Sequence, residues 1–599
     1  MTAGLHPEQN GQEVDGLQST LSFGKPRGFR DRLFSEAARR EKLISELSAY
    51  FARAEYELVE TPSVEYPETL LRGQSVNGAQ KDLRDTFRFV DVDGNLIALR
   101  SDVTGSLARV VASRFSLVEP PYRLRYVADV FREQESLRGS ERQLTQLGLE
   151  CFGLAPESAD TEVLSLALGG LEAIGLSGVR LHLSTVSIFS AILEACPAKN
   201  EWKQSFLSAW GNGDFIAIKK LCRDGSIPSR DATAIQGLLN LRGGAEVFAV
   251  AEQLLSANKR ALTSLRELEL VYTSLMQICD SDAEQSATEK SAQKLVIDFS
   301  LTPHFEYYSG MIFEIYATAP SGHGSFVGSG GRYDGLMKQF GRPMPAAGFS
   351  YDLASLEALD ASCTQGAGVG LQDANSNTQG GKQTPPLRIA VPKGKLYEEC
   401  IDLLGLAGVE LESLRNPGRS LRIANDEYEI IIAKPTDVAI YVSRGAADIG
   451  ISGRDSLVEA DFPLLQLADL KFGACEFVVA APAALDCSLE ELSLRLGTIR
   501  VATKYPRLTQ GFFDARGIQV EIVKLNGNIE LAPLIGIADL VVDITQTGTT
   551  LRENNMRILE TVLPSTAHFV AQYSSARCDT RVLELANRLE KTLTIKEDV

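Results

Sequence analysis

This 599-residue chain has very little histidine. Its five histidines never fall at metal-ligand spacing, so no structural zinc site and no protein metal cage is expected. Nine cysteines are scattered without a C-x-x-C pair, which points to reduced thiols and a cytoplasmic chain rather than a disulfide framework. No apolar run reaches the roughly 18 residues that cross a bilayer. The first twenty residues are polar and hold no apolar core of a secretory leader. A basic surplus is also missing. With 60 Lys and Arg against 78 Asp and Glu, the net charge of −18 excludes a broad footprint for nucleic acid or anionic membrane, leaving only local basic pockets. What is present is 44% hydrophobic and 23% charged residues at a mean hydropathy of −0.04, the make-up of a globular protein. At this length about four compact units are expected.

Residues 1–22 read as a disordered tail. Over 31–54, Phe34, Ala37, Ile44, Leu47, Phe51 and Ala54 recur at helical spacing. Residues 56–64 read as a strand broken by Pro62. Residues 86–100 form a hairpin around Asp93-Gly94, a dipeptide suited to a type I′ turn. Strand signals follow at 122–130 and 144–152. A helix-rich stretch at 200–292, with Gly/Pro breaks, reads as an insertion, and strand character returns at 295–300, 305–317 and 347–353. Residues 23–360 are thus expected to be an antiparallel α+β domain. Residues 361–386, rich in Gly, Ser, Asn and Gln, cannot bury enough apolar surface to order themselves and read as a linker. Beyond it, strand and helix signals alternate over 387–392, 397–407, 429–433, 437–445, 448–451, 477–481, 500–502 and 538–558. That alternation predicts βαβ units, a mainly parallel sheet and two lobes about a cleft over 387–599.

One stretch organises the second half. Leu540, Val541 and Val542 form a buried strand, Asp543 stands at its carboxyl end, and Thr545, Thr547, Gly548, Thr549 and Thr550 make a turn into a helix. Thr550-x-x-Glu553 has capping-box spacing. Free N–H groups and a helix dipole aimed at one spot suit a phosphate dianion, and a carboxylate beside it accepts from two ribose hydroxyls. A cap alone needs one threonine, worth roughly 1 kcal/mol; the three threonines Thr547, Thr549 and Thr550 and a glycine exceed that need. The arrangement resembles the phosphoribosyl-pyrophosphate loop of phosphoribosyltransferases.

In the first half, Phe131-Arg132-Glu133-Gln134 with Arg142 to Glu150 resembles motif 2 of class II aminoacyl-tRNA synthetases, specifically histidyl-tRNA synthetase. Arg100-Ser-Asp102-Val-Thr104-Gly, Glu306-Tyr307-Tyr308-Ser-Gly310, Gly330-Gly-Arg332-Tyr333-Asp-Gly-Leu336 and Pro345-Ala-Ala-Gly348-Phe349 extend the likeness in order. It implies a class II synthetase-like antiparallel-sheet domain with a helical insertion, pairing into a dimer. As a pocket for histidine, Asp102, Gln146 and Glu150 would receive an ammonium group, Thr104 with Tyr307 and Tyr308 would enclose an imidazole, and Arg132 stands beside them. Two departures disable adenylation. Pro303 stands where the synthetase has an arginine, and the arginine expected after the last motif falls at about Ser355. No anticodon-binding domain follows. The pattern resembles the synthetase-like regulatory subunit of ATP phosphoribosyltransferase.

Residues 387–599 resemble the short-form catalytic subunit of that enzyme, a two-lobed α/β fold like the periplasmic binding proteins. The carriers are Val391-Pro392-Lys393-Gly394-Lys395-Leu396, Arg444 to Asp455, Ala502-Thr503-Lys504-Tyr505-Pro506, Asn526 to Pro533 and the threonine loop. The resemblance implies the first step of histidine biosynthesis: ATP and phosphoribosyl pyrophosphate give N1-phosphoribosyl-ATP and pyrophosphate, with histidine as inhibitor. Lys393, Gly394 and Lys395, with Asp448, Gly450, Ser452, Gly453, Arg454, Lys504 and Tyr505, are the expected ATP contacts. Asp543 and Glu530 are the ribose acids, and Lys393, Lys395, Asp543 and Glu530 the expected catalytic group. Arg415 and Arg419 reach towards the same anions. Mg2+ is expected on the pyrophosphate oxygens. The alternative is a tRNA-handling synthetase paralogue fused to an unrelated transferase.

Overall fold

The computed structural model describes residues 25–72, 86–133, 141–281, 294–303, 307–319, 322–364, 385–409, 412–415 and 418–597. The expected tail, and residues 365–384 of the linker expected over 361–386, lie outside the described residues; residues 361–364 instead continue the helix Leu353–Thr364.

The front half is built on a nine-stranded sheet. Its centre is antiparallel, running Tyr122–Phe131, Gln143–Phe152, Ala346–Asp352, Gly324–Arg332, Met311–Thr318 and Val179–Thr185. Pairing turns parallel only where Glu57–Leu58 meets one side and Leu295–Asp298 the other. The helix Phe34–Arg53 forms where the spacing predicts and buries the expected Leu47 and Phe51 together with Leu43, while Phe34, expected on the same face, is exposed. The hairpin forms between Arg88–Val90 and Leu96–Leu99. Asp91 accepts from the N–H groups of Asp93 and Asn95, and Gly94 takes a φ of 83°; Asp93 does not take a positive φ, so the turn is not the type I′ expected. One strand, Gly324–Arg332, escaped the sequence pattern because glycine is depleted in strands. Its glycines answer to crowding: a Cβ on Gly328 would lie 2.4 Å from the Ser350 carbonyl oxygen, and on Gly330 2.4 Å from that of Gly348. Residues 200–281 run as helices Asn200–Gly211, Phe215–Arg223, Ser229–Leu239, Glu246–Leu255 and Lys259–Ser281.

The second half holds two sheets. The first lobe orders Arg422–Ala424, Tyr428–Ala433, Leu387–Pro392, Ile449–Gly453, Ala567–Ala571 and Leu465–Asp469; the second orders Val520–Lys524, Ile499–Thr503, Leu540–Thr545, Cys475–Pro482 and Met556–Ser565. Two lobes with a cleft match expectation, but a mainly parallel sheet does not. The first-lobe sheet has a parallel middle flanked by antiparallel strands, and the second-lobe sheet has three parallel strands on one side and two antiparallel strands on the other, because the chain crosses between lobes at 470–474 and returns at 565–566. The crossings are pinned by Thr566 donating to Asp469 at 2.8 Å and by Ser565 donating to Asp455 at 2.7 Å.

One continuous apolar core joins the front sheet to the first lobe, from Leu181 and Phe313 through to Ile389, Val582 and Leu589. The second lobe keeps its own cores around Phe477 and Val541. Among the described residues no helix is long and apolar enough to cross a membrane.

Candidate functional site

Parallel pairing of Ile499–Thr503 with Leu540–Thr545 sets Thr503 opposite Val542, which brings the next residues, Lys504 and Asp543, side by side. Lys504 Nζ donates to Asp543 Oδ2 at 3.3 Å, and the other oxygen accepts from the Ile544 N–H at 2.8 Å. Burial raises the Asp543 carboxyl above its ordinary value; Lys504 opposes this and the nearby Glu530 charge adds to it. Glu530 heads the short helix Leu531–Leu534.

The turn after Asp543 is open. Gln546, Thr547, Thr549 and Thr550 are exposed, while Gly548 sits at φ 68°, a conformation that favours glycine. Thr545 Oγ1 accepts from the Gly548 N–H at 2.8 Å, and the Thr547 and Thr549 hydroxyls bond each other at 2.9 Å. The predicted capping box does not form. The helix begins at Thr549 with Gly548 as its N-cap and no side-chain cap, so Thr550 already lies inside it and Glu553 closes it. The first helical N–H groups are thereby left without a side-chain acceptor, as an anion site requires.

On the first lobe, Lys393, Gly394 and Lys395 stand exposed where Leu387–Pro392 ends. The Lys393 N–H donates to the Ala433 carbonyl at 2.7 Å, and Gly394 takes a φ of 103°. The second expected ATP loop is only partly available. Ser452 is buried and its hydroxyl donates to the Pro435 carbonyl at 3.1 Å. Gly453 caps the helix Arg454–Ala460, and Arg454 donates to the Pro564 carbonyl at 3.3 Å. Gly450 is a packing glycine: a Cβ there would lie 2.8 Å from Val438 and Val442. Asp448 is not in the cleft. It precedes the strand Ile449–Gly453, at the opposite end from Ser452, and accepts from Arg388 at 2.8 Å and Ser575 at 2.9 Å. Tyr505 turns its ring edge-on to Phe477 at 4.7 Å, and burial raises its phenol. Arg415 pairs with Asp402, while Arg419 is exposed.

The front half brings five of its seven expected residues around one small cavity. Asp102, Thr104, Glu150, Tyr307 and Tyr308 line a space of about 20 Å³, which holds a group the size of water or ammonium. Arg132 and Gln146 line the adjoining cavity of about 300 Å³, large enough for an amino acid; Ser329 and Ser350 belong to both. Gln146 Oε1 is buried there without a hydrogen-bond partner. Glu150 is fully enclosed and accepts from Thr104 at 2.7 Å and from the Tyr333 hydroxyl. Burial, only partly offset by those two bonds, pushes its carboxyl up to about 8. Burial also raises Asp102, against the Arg132 charge. Gly348 lets the strands close over this carboxylate, since a Cβ would lie 1.7 Å from Glu150 Oε2. Tyr333 was in plain view beside the Gly330-Gly331 pair, but nothing in that motif tells which acid the tyrosine bonds.

The halves meet at a charged plug that carries no sequence signal. The helix Tyr573–Cys578 enters the front half, and Arg577, only 1% exposed, donates to Asp298 Oδ2 and to the Ser300 carbonyl, each at 2.9 Å. Its Nε lies 3.9 Å from Glu314. Arg242 and Arg180 receive the end of this helix, donating to the carbonyls of Ala576 and Cys578 at 2.8 Å. Burial alone would raise Asp298, but Arg577, His182 and Arg242 together hold its carboxyl far below the usual range.

Comparison with known proteins finds a different family at each end of the chain. The histidyl-tRNA synthetase family model matches residues 28–356, and the ATP phosphoribosyltransferase model matches residues 434–591. The ATP phosphoribosyltransferase of Moorella thermoacetica is 46% identical over 203 residues, covering 33% of this chain and 88% of that protein. That of Rubrobacter xylanophilus is 42% identical over 191 residues, covering 32% and 88%. A Bacillus halodurans structure described as an ATP phosphoribosyltransferase regulatory subunit/histidyl-tRNA synthetase superposes with a TM-score of 0.50, covering 70% of this chain and 94% of its own. At 23% identity that likeness speaks for the fold alone.

Proposed function

The chain belongs to the histidyl-tRNA synthetase family over its front half and to the ATP phosphoribosyltransferase family over its last third, and from this double membership we infer how one polypeptide both catalyses and regulates. It is an ATP phosphoribosyltransferase carrying a synthetase-like regulatory domain, and it performs the first step of histidine biosynthesis.

In the reaction, adenine N1 attacks C1′ of phosphoribosyl pyrophosphate; the N1–C1′ bond forms as the C1′–oxygen bond breaks, and pyrophosphate leaves with the electron pair. No covalent nucleophile is required, so catalysis rests on alignment and charge. The observation that carries the site assignment is the Lys504–Asp543 pair beside the uncapped 547–550 turn. In our reading the amides of Thr549 and Thr550, with the Thr547 and Thr549 hydroxyls, hold the 5′-phosphate on a turn shaped by the Gly548 N–H donating to Thr545. Asp543 and Glu530 hold the ribose hydroxyls, and Lys504 faces the departing pyrophosphate. Lys393 and Lys395 take the ATP phosphates from the other wall, with Gly453, Arg454 and Tyr505 at its edge. Mg2+ neutralises the pyrophosphate charge when chelated by it. Asp543 and Glu530 are the carboxylates beside the loop, and no cluster of three metal-ligating side chains occurs among the described residues.

For regulation, the amino-acid pocket takes histidine: its ammonium group enters the small space among Glu150, Asp102, Thr104, Tyr307 and Tyr308, and its ring, too large for the place expected among Thr104, Tyr307 and Tyr308, lies in the larger cavity beside Arg132 and Gln146. Glu314 touches Arg577, and its charge acts on Tyr308 of the pocket. Ser575 and Arg388 meet on Asp448 at the back of the strands whose far ends lead into the cleft. This supports coupling through the plug, with histidine favouring one arrangement of the halves. Exposed Phe89, Val90, Val92 and Leu96 on the front hairpin support a homodimer of front halves. The test is an ultraviolet assay of ATP, phosphoribosyl pyrophosphate and Mg2+. N1-substituted product that forms only with all three, and more slowly with histidine, supports the reading. No product removes the catalytic part, and an unchanged rate with histidine removes the regulatory part.

A further inference from the structure

Beyond the strand crossings, the two lobes are tied across the cleft by a helix cap supplied from the opposite wall. The helix Pro506–Asp514 of the second lobe starts two residues after Lys504, and its own N-cap residue, Tyr505, offers no side-chain acceptor. The first N–H groups of a helix need one. Glu459, from the helix Arg454–Ala460 in the first lobe, provides it: Oε1 accepts from the Arg507 N–H at 3.3 Å and Oε2 from the Leu508 N–H at 3.0 Å. The Arg507 side chain turns back to pair with Asp461, just past the same first-lobe helix. Backbone and side chain of one second-lobe residue are thus both held by the first lobe. A carboxylate at a helix N-terminus is also favoured by the dipole.

The two capped partners lead directly to the cleft walls. The Glu459 helix begins where Ser452-Gly453 ends, and the helix it caps continues the segment that carries Lys504 to Asp543. The lobes are also joined by the extended crossings near 470 and 565 and by Arg454 donating to the Pro564 carbonyl. Resting on the transferase reading above, we propose that Glu459 is a positioning residue for phosphoribosyl transfer: by capping the Pro506–Asp514 helix from the other lobe, it fixes the angle at which the Lys504–Asp543 wall faces the Lys393–Lys395 wall. A purely structural Glu459 would lower the unfolding temperature and leave the kinetics of the folded enzyme alone.

The experiment compares wild-type enzyme with Glu459→Ala, Glu459→Gln and Arg507→Ala, measuring kcat and KM for both substrates together with thermal unfolding. The expected result is a KM for phosphoribosyl pyrophosphate raised about tenfold in Glu459→Ala and about threefold in Glu459→Gln, which keeps one acceptor oxygen, with kcat changed less than KM. Arg507→Ala keeps the backbone cap and is expected to stay within about twofold of wild type. Wild-type KM values in both Glu459 variants would overturn the proposal, as would an equal change in Arg507→Ala, which assigns the effect to the side-chain pair. If Glu459→Ala does not fold, the near-isosteric Glu459→Gln decides. An inactive wild-type enzyme would instead remove the transferase reading, and this proposal with it.

Discussion

Replacing Glu150 by glutamine should make the front half more stable at alkaline pH and leave it unchanged in acid. In the folded protein burial moves the Glu150 carboxyl from an ordinary 4.5 to about 8. At 1.36 kcal/mol per factor of ten, that displacement is an order-of-magnitude free energy of about 5 kcal/mol. The sign follows from which state holds the proton. Below about pH 4.5 both folded and unfolded chains are protonated and Glu150 contributes nothing. Between about pH 4.5 and 8 the unfolded chain releases its proton while the folded one keeps it, so stability falls by about 1.4 kcal/mol per pH unit. Above about pH 8 the deficit is constant. Glutamine reproduces the neutral shape, accepts from Thr104 and titrates nowhere. The assay is urea unfolding followed by tryptophan fluorescence. The chain's two tryptophans, Trp202 and Trp210, are both buried in the front half, so the signal reports that half. Equal midpoints at pH 5 and a clearly more stable variant at pH 8.5 are expected. A difference that does not change with pH would mean Glu150 is already ionised in the folded protein, and the argument from its burial fails. The same proton links to ligand binding. A cationic amino group calls for the carboxylate, so histidine should bind more tightly as pH rises towards 8 in wild type, and without that slope in Glu150→Gln.

Asp543→Asn or Thr549→Val should raise the KM for phosphoribosyl pyrophosphate while leaving thermal unfolding near wild type, and wild-type kinetics in both would take the phosphate from that turn. Arg577→Met should cost about 3–5 kcal/mol of stability by leaving Asp298 buried and short of its main partner, and the folded fraction should lose its response to histidine; calorimetry and the inhibition curve read the two separately. Gly348→Ala drives a methyl into Glu150, so histidine binding by calorimetry should vanish, with a loss of stability of about 1–3 kcal/mol.

Features announced by local chemistry were legible in the sequence. Asp93-Gly94 gave the hairpin because a positive φ is required there, and the threonine turn after Asp543 declared itself by an excess of hydroxyls over what a cap needs. Misreadings arose where one pattern admits two physical roles. Thr550 and Glu553 have capping-box spacing, but with Gly548 in the left-handed region as N-cap the helix starts two residues earlier. Asp448 sits in a polar, glycine-bearing run that resembles a ligand loop, but the strand begins after it, so its carboxylate faces the front half. Partnerships between distant segments left no trace. Nothing in Tyr573-Ser-Ser-Ala-Arg577-Cys marks an arginine destined for Asp298, 279 positions earlier, and nothing marks Glu459 as the cap of a helix in the other lobe. Such contacts arise only once the lobes are folded and packed.

The most direct test of the central claim is a crystal structure of the protein with phosphoribosyl pyrophosphate. The account predicts the 5′-phosphate on the amides of Thr549 and Thr550 and the ribose hydroxyls on Asp543. A well-ordered sugar phosphate bound elsewhere, with that turn free, would contradict it.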